Sequence, residues 1–107
     1  MQPNSELPNQ ESIAVMNDKQ LLIDKIEQLI ALSSDDIAQN NWIQANTQLK
    51  KGLNALGDRY FNPNILNDSG MKIIVADDFE KKGLLEKSAR LRLRILQGRL
   101  DQFKANP

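Results

Sequence analysis

The run Leu32-Ser33-Ser34-Asp35-Asp36-Ile37-Ala38-Gln39-Asn40-Asn41-Trp42 decides how this chain folds, because a helical pattern enters it, stops, and restarts. Asparagine accepts the left-handed backbone that ends a helix and also serves as an N-cap, so Asn40 and Asn41 predict a tight turn between two helices. Upstream, Leu22, Ile26, Leu29, Ile30 and Ile37 fall on one face at 3.6 residues per turn, and Leu21 and Leu32 project away from it. Asn17 with Gln20 forms a capping-box pair that sets the start of this first helix. Downstream, Trp42, Ala45, Leu49, Leu53, Leu56 and Tyr60 make a narrow second stripe, and Gly57 offers a stop. Two amphipathic helices joined by so short a turn pack antiparallel. Gly52 costs about 1 kcal/mol inside the second helix relative to Ala, so it either permits a close helix contact or is tolerated there.

Residues 1–16 carry Pro3 and Pro8 among Asn, Gln, Ser and Glu, a composition too polar to offset the entropy of ordering, and they predict a flexible tail before a single domain at 17–107. From Asp58 to Gly70 the chain is dense in turn formers and predicts a loop, with Pro63 restricting Asn62. Ile73 to Val75 then read as a short apolar lead-in packing under that loop. Asp77 and Glu80 form a second capping-box pair, which opens a long helix from Asp78 to Phe103 opposed only by Gly83 and Gly98. The fold class is therefore all-α: an antiparallel helical hairpin plus a long C-terminal helix, a three- to four-helix bundle with a flexible N-terminal tail.

The chain has 107 residues, no Cys and no His, and fourteen basic against fourteen acidic side chains. One domain is the expectation from that length. Thiol and imidazole chemistry is excluded, with the nucleophile systems and zinc sites built on them. The adjacent acids Asp35-Asp36 and Asp77-Asp78 point about 100° apart on a helix and bring no third ligand, so they predict no metal site. Met71-Lys72-Ile73-Ile74-Val75-Ala76-Asp77-Asp78 looks like the first strand of a response-regulator receiver domain, but the helical remainder is too short for a parallel sheet. No cofactor and no small-molecule substrate are expected, and the protein reads as non-enzymatic. It shows neither a secretory signal nor a stretch of roughly 18 apolar residues, so no membrane span is predicted and the expected location is cytoplasmic.

The C-terminal helix carries the functional signal. Leu85, Ala89, Leu93, Leu96, Leu100 and Phe103 form one apolar stripe, while Leu84, Leu91 and Ile95 form a second centred roughly 120° away. A single partner helix cannot cover both. The second stripe, with Arg92 and Arg99 at its rim, is the predicted partner-binding surface: Leu84, Leu91, Arg92, Ile95 and Arg99. Its occupant is another protein or a second copy of the chain in a homodimer. Residues 57–107 hold ten bases and seven acids, which leaves a nucleic-acid-binding regulator using Arg90, Arg92, Arg94 and Arg99 as an alternative. The missing aromatic interleaving and the ordinary Glu86–Arg90 pair weigh against it.

Residues 19–56, from the first helix through Asn40-Asn41-Trp42 to Leu49-Lys50-Lys51-Gly52-Leu53, resemble the helical hairpin of FliT-type flagellar export chaperones. The resemblance implies a small cytoplasmic helical bundle that holds an export substrate, the filament cap protein, and docks on the export gate and its ATPase. The chain departs from that pattern in its Pro-containing N-terminal segment, in the turn-rich stretch at 58–70, and in having Asn41 where an acid is more usual before the Trp.

Overall fold

In the computed structural model, residues 7–57 and 63–105 are described, with side chains at 18–57 and 70–105. Four helices follow in chain order: α1 (Leu7–Ala38), α2 (Trp42–Leu56), α3 (Pro63–Lys81) and α4 (Leu85–Ala105). The fold class expected from the sequence is the one observed. No strand occurs among the described residues.

The α1–α2 hairpin forms where the asparagines place it. Asn40 takes φ 62°, the Asn41 amide donates to Asp36 O at 2.7 Å and the Asn40 amide to Ile37 O at 3.1 Å. That is a Schellman stop with Asn in the place of Gly. Asn41 opens α2 through its carbonyl alone, since its side chain makes no cap bond. At the other end of α2, Gly57 sits at φ 63° and its amide bonds Leu53 O. Tyr60, the last member of the expected α2 stripe, lies outside the described residues.

Helices α1, α2 and α4 pack on one another, and α3 packs along α4. The shared core holds Ile23, Ile26 and Leu29 of α1, Ala45, Leu49, Leu53 and Leu56 of α2, and Ala89, Leu96, Leu100 and Phe103 of α4. Leu21 and Leu32 point outward as the periodicity requires. Gly52 is a contact residue: a Cβ built there would lie 2.6 Å from Leu96 Cδ2. The missing side chain is what lets α2 and α4 cross so closely.

Three expected boundaries are corrected. α1 starts at Leu7 rather than Asn17; Pro8 falls in its first turn, where the missing N–H would have no helical partner in any case. Of the segment expected as a tail, residues 1–6 lie outside the described residues, and at 7–16 the backbone is helical. The loop and apolar lead-in expected over 58–76 are, from Pro63 onward, helix α3. Proline at a first helical position has the right φ already, and the packing of the later turns on α4 carries the turn-prone residues along. The long helix expected from Asp78 to Phe103 is two helices. It breaks at Gly83, φ 79°, in a second Schellman stop closed by the Leu84 amide on Phe79 O at 2.8 Å and the Gly83 amide on Glu80 O at 3.0 Å. Asp77 and Glu80 therefore belong to the last turns of α3 and cap nothing.

Candidate functional site

The most polar place inside the fold is where α2, α3 and α4 meet, and it is built around one arginine. Arg92 projects from α4 with only 2% of its surface exposed. Its Nη2 donates to Asp77 Oδ1 at 2.6 Å, and its Nη1 donates to Asn46 Oδ1 at 2.8 Å and to Glu80 Oε1. Asn46 is itself buried and turns its Nδ2 to Trp42 O at 2.9 Å and Leu85 O at 3.1 Å, so every polar atom of its amide is satisfied. Glu80 takes a second cation, Lys50 of α2, at 2.8 Å. One turn earlier on α4, the buried Ser88 hydroxyl donates to Ala76 O at 2.8 Å.

Burial of a guanidinium is costly unless it is paired and hydrogen-bonded, and here two carboxylates and an amide do both. The carboxylates stay wet, with Asp77 and Glu80 side chains 53% and 33% exposed. The Lys50 ammonium first, and the Arg92 guanidinium second, hold the Glu80 carboxyl below its ordinary value of 4.5. Such a cluster fixes α3 on α4 in one register; it presents no free nucleophile or base.

This arrangement overturns the expected binding surface on α4. Ile95 is 5% exposed and belongs to the core, Arg92 and Arg99 are buried, and Leu91 is half-buried against the same core. Only Leu84, in the turn after α3, remains exposed. At helical spacing Leu91 and Ile95 lie on the side from which Ser88 and Arg92 reach α3. The second stripe needed a cover, and α3, read as loop, supplies it. The same burial removes Arg92 and Arg99 from any phosphate-binding strip. Arg90 is occupied by Glu86 at 2.9 Å and lies 5.7 Å from the centre of the Trp42 ring, and Trp42 is half-buried rather than the deep anchor its place in the stripe suggested.

The surface that sequence reasoning missed is the outer side of α3. Its inner side carries Ile73, Ala76, Asp77 and Glu80; the opposite side carries Met71, Ile74 and Val75, which are 71%, 68% and 45% exposed. Spaced i, i+3 and i+4, these three make one stripe. Lys72 and Lys81 flank it on opposite sides by the same periodicity, and Asp78, in line with it, is tied to Lys82 at 2.8 Å. This amphipathicity is the reverse of that expected for a helix packed by its apolar face. Asp77 and Glu80 face the bundle beside Ile73 and Ala76, and three large apolar side chains face outward.

No family model matches the chain. No curated protein and no solved structure matches it either. Elsewhere on the described surface an open groove of about 260 Å³ lies between α1 and α4 beside Ile30 and Leu100, and another of about 280 Å³ lies at the hairpin turn beside Asn41 and Trp42. Among the described residues no three Asp or Glu side chains converge as a metal site, and no described helix is long and apolar enough to cross a membrane.

Proposed function

We propose that this chain is a non-enzymatic protein-binding module, and that it receives an amphipathic helix of another protein on the outer face of α3. The observation that carries the reading is the reversed amphipathicity of the described part of α3, which leaves Met71, Ile74 and Val75 in water while the opposite side of the helix meets Arg92 of α4. An apolar stripe at i, i+3, i+4 spacing on a helix is suited to the apolar face of a second helix. Lys81 at its margin, with Asp77 and Glu80 turned inward to Arg92, favours a partner helix whose own rim is acidic. The likeness of the hairpin to FliT-type chaperones makes an exported flagellar protein the first partner to examine in this reading.

The test is photo-crosslinking in the native host, with a photoreactive residue placed singly at positions 71 and 74 and, as controls, at the exposed positions 97 and 102 of α4. The reading expects an adduct from 71 and 74 that maps to an acidic-rimmed amphipathic helix of one other protein and disappears when Val75→Asp is added. An adduct at twice the 12.1 kDa chain mass would replace the partner with a second copy. Equal crosslinking from all four positions would overturn the site.

A further inference from the structure

Helix α3 is held differently from the rest of the molecule. The other three helices pack on one another pairwise, whereas α3 packs along α4 and, among the described residues, reaches α2 through the Glu80–Lys50 ion pair. Among its described side chains, the apolar ones drawn out of water are the buried Ala76 and the half-buried Ile73 and Phe79, the last beneath Lys87 of α4. The rest of the attachment among the described residues is polar: Asp77 and Glu80 on Arg92, Glu80 on Lys50, and the Ser88 hydroxyl on Ala76 O. When α3 lifts, much of what becomes wet on the bundle is a guanidinium, a carboxamide and a hydroxyl, groups that water solvates well. Met71 and Ile74 lose little, because they are already largely exposed. Directly after α3, Gly83 at φ 79° forms a tight reversal with no side chain to obstruct a swing.

We propose that α3 opens as a unit separate from the α1–α2–α4 bundle, pivoting at Gly83, and that the Arg92–Glu80–Lys50 cluster is the latch that sets how often it does so. The charged groups facing Glu80 are Lys50 from α2, Arg92 from α4 and Asp77 on α3 itself. Neutralising Glu80 leaves Lys50 and Arg92 with one shared anion fewer, so the latch weakens while the apolar core of the bundle is untouched. Acid acts in the same direction. Regions held by few buried apolar contacts are the ones that open below the global unfolding free energy.

Native-state hydrogen exchange of the full chain, compared as protection factors, tests this. In the wild-type chain the amides of residues 73–81 are expected to be protected at least about ten-fold less than those of Leu49 and Leu96. Glu80→Gln lowers their protection by about another ten-fold, the scale of one charge-assisted hydrogen bond, with no change at Leu49 or Leu96. Asp77→Asn, at a half-exposed carboxylate, gives the same readout should Glu80→Gln fail to fold. Equal protection of α3 and the bundle core in the wild-type chain would overturn the separate unit. An equal loss at both sets of amides in the variant would overturn the latch.

Discussion

Replacing Arg92 by Ala is the perturbation whose cost can be worked most fully from the structure. The change deletes three hydrogen bonds, to Asn46, Asp77 and Glu80, and an aliphatic stem that is out of water. The two carboxylates suffer least, since Asp77 hydrates and Glu80 keeps Lys50. Asn46 suffers most: its Oδ1, at a residue only 3% exposed, loses its donor, which costs about 1–3 kcal/mol. Removal of the buried stem adds about 2 kcal/mol at roughly 0.8 per methylene. Relief of the guanidinium's desolvation offsets part of this, and a net loss of about 3 kcal/mol remains, a large share of the total stability of a domain this small. Arg92→Met retains most of the stem and should lose only about 1–2 kcal/mol. Arg90→Ala, at an exposed pair beside Trp42, should lose under about 1 kcal/mol. Urea titrations followed by circular dichroism give all three values. If Arg92→Ala costs no more than Arg90→Ala, the buried cluster does not anchor α3 and the reasoning fails.

Because Glu80 has its folded pKa lowered by Lys50 and Arg92, its contribution is present above its unfolded value near 4.5 and disappears as pH falls through the lower folded value. Stability should therefore drop on acidification below about pH 4.5, and the drop should be shallower in Glu80→Gln, as read from urea midpoints between pH 3 and 7. Gly52→Val places atoms where Leu96 already sits and should cost about 2–3 kcal/mol by overpacking; a neutral urea midpoint would show that α2 and α4 can part without penalty. Trp42→Ala should cost about 2 kcal/mol, below the 3–5 typical of a deeply buried Trp, since its ring is only half-covered.

Much of the hairpin was legible because its signals are local. The spacing of Ile26, Leu29, Ala45, Leu49 and Leu53 and the left-handed tolerance of Asn40 act within a few residues, and the structure follows them. What could not be read were features decided by distant partners. Pro63 and the Asn-Asp-Ser-Gly stretch after it are turn formers by propensity, yet they open α3, because proline is as suited to a first helical turn as to a loop. Gly83 was counted as a mild helix penalty, whereas its positive φ ends one helix and frees α4 to start anew. Once α3 is missed, Leu91 and Ile95 have nothing to cover them and look like a binding face. The role of Arg92 was least accessible, since its partners Asn46, Asp77 and Glu80 sit on two other helices, α2 and α3, and no spacing rule links them to it. The signal that could have pointed there is the capping-box pair Asp77 and Glu80, whose i, i+3 spacing also puts two carboxylates on one face of a helix.

The central claim is that α3 covers the second stripe of α4 and turns its own apolar stripe outward. Its most direct test is a paired urea titration of Ile95→Asp and Ile74→Asp. Ile95 is buried in the core and Ile74 is 68% exposed on the far side of α3. The account predicts that Ile95→Asp abolishes cooperative folding through burial of an unpaired charge. Ile74→Asp should leave the midpoint within about 0.5 kcal/mol of the wild-type chain. A stable Ile95→Asp variant together with an unfolded Ile74→Asp variant would place α3 the other way round and contradict the account.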